Sequence, residues 1–117
     1  MCDEELRRGI VLFNEARFFD AHEALEDVWR VSPPAEKKFF RGLVQVAVAF
    51  HHHSTGNFVG MQSVLHRAAS NLAPAPADFA GIDLKPLLDS LDRWQIAMQQ
   101  MHPEPPLPRM EQISPER

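Results

Sequence analysis

Residues 39–50, with the sequence FFRGLVQVAVAF, constrain the fold of this chain more than any other segment. Read as a helix, the segment is apolar on nearly all sides, and such a helix must be buried on most of its faces. The longest apolar run, GLVQVAVAF, has nine residues and includes Gln45. It is far shorter than the roughly 20 residues that a membrane span requires. The segment therefore predicts the central helix of a globular core, with no role in a membrane.

The central helix is predicted to run from about Pro34 to Ser54. Proline is tolerated in a first helical turn, and Gly56 can supply the left-handed residue that ends a helix. A first helix is expected to start near Asp3, a suitable N-cap. A second starts near Phe18 and ends before the two prolines at the start of the central helix. Both show apolar residues at the spacing of an amphipathic helix.

Two more amphipathic helices are predicted after the central one. Asn57 can cap the fourth helix and Asp83 the fifth, with the loop APAPADFAG between them. The apolar stripe of the fourth helix is Phe58, Met61, Leu65, Ala68 and Leu72. The apolar face of the fifth is Leu84, Leu87, Leu88, Leu91, Trp94, Met98 and Met101. No segment alternates with period two, so no strand is predicted.

A weak internal repeat groups these helices into hairpins. ARFFDAHEALEDVWRVSP and GNFVGMQSVLHRAASNLAP align at an offset of forty residues, which pairs Phe18 with Phe58 and Leu25 with Leu65. Each unit is the second half of a helical hairpin that weakly resembles a tetratricopeptide repeat. Two units favour packed hairpins over a solenoid, which usually needs three. The predicted fold class is all-α, a compact bundle of about five helices built from two antiparallel hairpins and a C-terminal helix.

Composition and charge indicate where the domain ends and which partners it suits. The helical domain is predicted to cover residues 1–102. Residues 103–117 hold five of the ten prolines, which predicts a tail that is extended or disordered unless it docks on a neighbouring surface. The net charge of −4, with twelve scattered basic residues, argues against nucleic-acid and anionic-membrane partners. The single cysteine, Cys2, and the lack of an apolar leader favour a cytoplasmic location.

The segment FFDAHEALEDVWR, residues 18–30, contains a near match to a metal-site motif. His22-Glu23-x-x-Glu26 is one residue short of the zinc signature H-E-x-x-H. On a helix with Leu25 facing the core, His22 and Glu26 are neighbours one turn apart on the shoulder of the buried face, with Trp29 beside them. Glu23 turns toward solvent, which argues against zinc-protease chemistry.

A second polar stripe lies on the central helix, where Gln45 and His52 share one side with small residues. Buried polar groups must find partners, and His22 and Glu26 are the expected counterpart. In one interpretation, these four residues form a structural hydrogen-bond network. In the other, His22, Glu26 and His52 form a site between helices whose donors suit Zn²⁺, Fe²⁺ or Mn²⁺. The run His51-His52-His53 is not expected to bind one ion, because consecutive helical residues point about 100° apart.

Several motifs, in order along the chain, resemble one known family. FNEARFFDAHEALEDVWR, FFRGLVQVAVAFHH and GNFVG are similar to the domain-of-unknown-function family 309, small bacterial and archaeal proteins. The resemblance covers about Leu12 to Leu91. The family's motif positions fall on His22, Glu23, Glu26, Trp29, Gly42, Gln45, Ala49, His52, Gly56, Asn57 and Gly60. The resemblance implies an all-helical fold and brings no established activity.

Three functional hypotheses follow. The first is a non-catalytic helical interaction or scaffold module that binds a protein partner or self-associates as a homodimer. The alternative is a metal-dependent or acid–base enzyme, hydrolase-like, that uses His22, Glu26 and His52, with Glu23 and Gln45 as further catalytic candidates. A third option is a small-ligand pocket against Trp29. The repeated hairpin and the lack of a complete catalytic set favour the interaction module.

Overall fold

A computed structural model of the chain describes residues 3–113. This range forms the helices α1 (Asp3–Asn14), α2 (Phe18–Val31), α3 (Pro34–Ser54), α4 (Phe58–Leu72) and α5 (Leu84–Gln100). A short 3₁₀ turn, Phe79–Gly81, lies in the loop before α5, and one antiparallel bridge pairs Ile82 with Gln112. The predicted all-α class is confirmed, with five α-helices and no strand in residues 3–113. None of these helices is long and apolar enough to cross a membrane.

Each helix packs on the next one along the chain. Short turns join α1 to α2 and α3 to α4, so the first four helices form two hairpins, and α2 packs on α3 between them. The central position predicted for α3 is confirmed, since its fully buried residues are Leu43, Val46, Ala47, Ala49 and Phe50. α5 closes the bundle, because the Trp94 ring meets the Phe50 ring edge-on with 5.1 Å between centroids. Burial of this aromatic contact joins the last helix to the central one.

Most of the residues that were predicted to cap a helix lie at the ends of the observed helices and act as caps. Gly56 has a φ of 79° and ends α3 in the left-handed conformation. Asn57 Oδ1 accepts a hydrogen bond from the Gly60 N–H at 3.0 Å and caps α4. Asp83 precedes α5 as predicted, but its side chain makes no capping hydrogen bond. The Asp83 N–H donates instead to the Glu111 carbonyl at 2.8 Å.

Two residues of the predicted apolar stripes are exposed. Phe58 is the first residue of α4 and is 51% exposed. Met101 follows the last residue of α5 in the left-handed conformation, so it ends the helix instead of extending its buried face. One prediction, the cap expected from the Asp3 side chain, concerns atoms outside the described part of the chain.

Residues 103–113 follow a non-helical course against the bundle. Met110 is fully buried and belongs to the hydrophobic core. The Asn14 side chain forms hydrogen bonds with both the N–H and the carbonyl of Met110. These contacts attach the C-terminal segment to the end of α1. The division into a domain of residues 1–102 and a tail of residues 103–117 stays a prediction, and residues 114–117 lie outside the described range.

Candidate functional site

α2 carries His22, Glu26 and Trp29 along one half-buried edge. His22 Nε2 lies 3.5 Å from Glu26 Oε1, one helical turn away. Arg30 reaches the same carboxylate oxygen at the longer distance of 3.9 Å. Glu23 is exposed, as the helical wheel predicts. This edge of α2 therefore provides one imidazole and one carboxylate in contact with each other.

The polar stripe of α3 faces α4, whereas the sequence interpretation paired it with α2. Gln45 Oε1 accepts a hydrogen bond from Asn71 Nδ2 on α4 at 2.7 Å. A Cβ atom added to Gly42 would lie 2.7 Å from Leu72 Cγ, so the missing side chain lets α4 approach α3 closely. None of the hydrogen bonds within residues 3–113 joins Gln45 to the α2 edge. The close approach of the two helices therefore decides the partner of Gln45.

His52 contacts the turn between α3 and α4. Its Nδ1 lies 3.3 Å from Asn57 Nδ2, while Asn57 Oδ1 caps α4. No group of three or more His, Cys, Asp or Glu side chains in the described range is arranged to hold a metal ion. The proposed Zn²⁺, Fe²⁺ or Mn²⁺ ligand set of His22, Glu26 and His52 is thus not assembled. His52 turns to the α3–α4 turn, and the other two residues stay on α2.

The three consecutive histidines at the end of α3 contact three different neighbours, as their helical spacing predicts. His52 meets Asn57. His53 Nε2 lies 2.9 Å from Glu104 Oε2 in the C-terminal segment. The His51 ring faces α2, with 5.5 Å between its centroid and that of Phe19. His51 is therefore the residue of this run that approaches the α2 edge.

Phe19 lies beside two imidazole rings on the surface, an arrangement that sequence analysis missed. Its ring centroid is 6.0 Å from that of His22 and 5.5 Å from that of His51, yet the residue is 51% exposed. We call Phe19, His22, Glu26 and His51 the Phe19 patch. The sequence signal for it is the Phe18-Phe19 pair. Adjacent helical residues point about 100° apart, so only one of the two fits the buried stripe.

Trp29 is covered by two cationic side chains from α3. Lys37 Nζ lies 5.0 Å and Arg41 Cζ 5.5 Å from the centroid of the indole, which are cation–π distances. Lys37 Nζ also donates to the carbonyls of Trp29 and Arg30 at 2.6 and 3.1 Å. A cation at the carbonyl end of a helix stabilises it. Trp29 thus takes part in closing the end of α2, and its ring faces these cations.

A separate open groove of about 930 Å³ is lined by residues outside the Phe19 patch. Its lining combines the apolar Leu6, Val28 and Phe40 with the charged Arg7 and Glu36. None of the site residues predicted from the sequence lines it. The walls come from α1, α2, α3, the 3₁₀ turn and Gln112 of the C-terminal segment, so no local sequence pattern marks the groove.

Comparisons with known proteins agree with the motif resemblance. The sequence model of the family described as "Domain of unknown function (DUF309)" matches residues 6–64. An uncharacterised protein of Aquifex aeolicus (strain VF5) is 37% identical over 82 residues, which cover 69% of this chain and 25% of that protein.

A second relative comes from Bacillus subtilis (strain 168). The uncharacterised protein YpuF is 33% identical over 75 residues, which cover 54% of this chain and 43% of YpuF. The chain thus spans less than half the length of these two curated relatives. The family match includes most of α1, all of α2 and α3 and the first part of α4, and with them every residue of the Phe19 patch. The chain belongs to the DUF309 family.

Proposed function

We propose that the chain is a non-catalytic interaction module that binds a protein partner through the Phe19 patch. The observation that carries this proposal is the exposure of Phe19, which is 51% accessible although its ring is near those of His22 and His51. Aromatic side chains surrounded by polar groups are frequent anchors of protein interfaces, where a few residues provide most of the binding energy. The patch has this composition.

The two polar pairs predicted from the sequence, Gln45 with His52 and His22 with Glu26, differ in their contribution to folding. Gln45 and His52 contact Asn71 and Asn57, and these contacts tie α3 to α4 and to its capped start. His22 and Glu26 contact each other along a single helix, at 3.5 Å. The packing of α3 on α4 therefore explains Gln45 and His52. His22 and Glu26 add no hydrogen bond between helices in the described part of the chain, which supports a role in binding.

The surface of α2 around the patch is acidic, and its charge indicates the chemistry of the partner. The acidic residues of α2 are Asp20, Glu23, Glu26 and Asp27. Arg17 and Arg30 pair with Asp20 and Asp27 at 2.9 and 2.8 Å. A partner segment that covers Phe19 with an apolar side chain and presents a cation to Glu23 and Glu26 is complementary to this surface. A second copy docked α2 against α2 would bring like charges together.

The two relatives support the view of the chain as a module. The matched segment forms a quarter of the Aquifex protein and 43% of YpuF, so further sequence accompanies it in both. A unit of this kind suits a binding role within a longer protein or beside a separate partner. We place the module in the cytoplasm, which suits a chain with a single cysteine.

The proposal is tested by titrating the ¹⁵N-labelled chain with two synthetic helical peptides. Both peptides carry a central leucine, which is flanked by lysines in one and by glutamates in the other. We expect the lysine peptide to shift the amide resonances of residues 19–26 and of His51, because it places an apolar group on Phe19 and cations beside the carboxylates. The glutamate peptide should leave these resonances unchanged. The proposal fails if neither peptide shifts them.

A matched pair of variants controls the titration. Phe19→Ala should weaken binding of the lysine peptide by roughly thirtyfold, since truncation of an anchor costs about 2 kcal/mol or more. Phe58 is equally exposed, at 51%, but lies at the start of α4 outside the patch. Phe58→Ala should therefore bind the peptide as the unmodified chain does. Equal losses in the two variants would contradict a specific site at Phe19.

A further inference from the structure

Residues 103–113, which we call the strap, are held along the bundle at both ends. Near its start, Glu104 Oε2 lies 2.9 Å from His53 Nε2 at the end of α3. Near its end, the Glu111 carbonyl accepts a hydrogen bond from the Asp83 N–H at 2.8 Å. The strap therefore runs from the end of α3 to the segment that precedes α5.

The centre of the strap is bound by groups that recognise its backbone. Trp94 Nε1 on α5 donates to the Pro106 carbonyl at 2.9 Å. Asn14 at the end of α1 donates from Nδ2 to the Met110 carbonyl and accepts from the Met110 N–H, both at 2.9 Å. The Met110 side chain is fully buried in the core. An indole N–H, a side-chain amide and one buried anchor together resemble the contacts of sites that bind extended peptides.

The composition of the strap suits a ligand that is extended before it binds. Its prolines are Pro103, Pro105, Pro106 and Pro108. Proline restricts the backbone to extended conformations, so such a segment loses less conformational entropy on binding than an ordinary one. Proline also has no N–H, and fewer backbone donors therefore need partners in the bound state.

One residue in an unfavourable backbone conformation connects the strap to α5. Met101 has a φ of 56°, in the left-handed region that disfavours residues with a Cβ atom. The next N–H, of His102, donates to the Ala97 carbonyl at 2.9 Å and fixes this conformation. This left-handed conformation ends α5 and turns the chain toward the strap. Met101 is therefore the hinge at which the chain would change direction if the strap left the bundle.

We propose that the surface which the strap covers between the end of α1 and α5 is a binding site for an extended, proline-rich segment with a methionine anchor, and that the strap of a second copy replaces the chain's own strap there. An exchanged strap makes the same contacts with Asn14 and Trp94, and the chain changes direction at the Met101 hinge in both copies. The chain's own strap competes at a local concentration of roughly millimolar order. Exchange is therefore favoured at high protein concentration. This site is independent of the Phe19 patch.

A labelled peptide tests the binding site. The peptide PEPPLPRMEQI, residues 103–113, is titrated against the full unmodified chain and against full chain carrying Met110→Ala, with fluorescence anisotropy as the readout. We expect binding to the variant to be at least about tenfold tighter, because its own strap has lost the anchor and competes less. A peptide with alanine in place of its methionine should bind the Met110→Ala chain no more tightly than it binds the unmodified chain.

Two results would overturn the binding site. The first is a Met110→Ala chain, shown to be folded by circular dichroism, that binds both peptides equally. The second is such a chain that binds neither peptide. If Met110→Ala does not fold, Glu104→Gln replaces it, because Glu104 is exposed and the change weakens only the contact with His53. The expected gain in peptide affinity is then smaller and in the same direction, and its absence counts against the site.

Exchange between copies is tested at the hinge by sedimentation velocity over a range of protein concentrations. Glycine adopts a positive φ without penalty, so Met101→Gly should favour the closed monomer. Proline cannot adopt a φ of 56°, so Met101→Pro should open the hinge and raise the dimer fraction. The Pro variant should therefore contain more dimer than the Gly variant at every concentration. Equal dimer fractions in the two variants would overturn exchange.

Discussion

The α1–α2 and α3–α4 turns have nearly the same backbone although their sequences differ. Arg17 and Asn57, forty positions apart, precede their helices with φ and ψ of −91° and 73° in one turn and −91° and 78° in the other. The preceding residues, Ala16 and Gly56, are both left-handed, with φ of 64° and 79°. The weak repeat in the sequence thus corresponds to a repeated turn. Only the second turn has the glycine and the capping side chain that such a turn favours.

The aromatic contacts across the two turns are also repeated, but their burial differs. Phe13 meets Phe18 with 5.2 Å between ring centroids, and His53 meets Phe58 at 5.7 Å, again forty positions later. Phe18 is 7% exposed because it also packs on Phe50, whereas Phe58 is 51% exposed. The repeat therefore specifies a local turn and its ring contact. The position of each hairpin in the bundle decides how much of that contact is buried.

The largest expected effect separates the two phenylalanines. Phe18→Ala should lower the free energy of unfolding by about 3–5 kcal/mol, because it leaves a cavity beside Phe13 and Phe50. Phe58→Ala should lower it by about 1 kcal/mol or less, since half of that ring is already in water. Urea denaturation followed by circular dichroism measures both values. Equal losses of unfolding free energy would mean that the Phe18 and Phe58 side chains contribute equally to the core.

Exchanging the left-handed residues tests the turns themselves. Gly56→Ala should destabilise the chain by about 1–2 kcal/mol through backbone strain alone, since an added Cβ meets no atom within 4 Å. Ala16→Gly should relieve the same strain and stabilise the chain by at most about 1 kcal/mol, because glycine also increases the entropy of the unfolded chain. Thermal unfolding of both variants gives the sign of each change in stability. A gain from Gly56→Ala would contradict the shared turn geometry.

The smallest effect concerns capping. Asn57→Ala removes the side chain that accepts from the Gly60 N–H and should cost about 1 kcal/mol of unfolding free energy. Arg17, at the equivalent position, makes no capping hydrogen bond and forms an exposed ion pair with Asp20. Arg17→Ala should therefore cost about 0.5 kcal/mol or less. A larger loss from Arg17→Ala, measured by the same denaturation, would mean that the first turn depends on a contact other than a cap.

Much of the fold was predictable because its signals are local. The ends of α3, the cap at Asn57 and the buried stripe of α4 from Met61 to Leu72 all follow from neighbouring residues. The same local information was wrong at both ends of α5. Met101 ends the helix, and Asp83 makes no side-chain cap because its N–H pairs with the distant Glu111 carbonyl.

The candidate site was only half predictable. Helical spacing placed His22 and Glu26 together and turned Glu23 outward, because those relations hold within one helix. It also marked Gln45 and His52 as one stripe, but their neighbours lie on α4 and in the turn that precedes it. Which helix a stripe meets depends on how closely the helices approach, and no spacing along one helix contains that information.

The amino-acid sequence alone determined the helices, their turns and the family of this protein, because periodicity, caps and motifs act over a few residues. Only the tertiary structure decided that Phe19 lies beside His51, and that Gln45 pairs with Asn71. It also decided that a proline-rich segment binds Asn14, from which Met110 is 96 residues distant in the chain. These contacts join residues that are remote in sequence, so their geometry arises when the hairpins pack into one core.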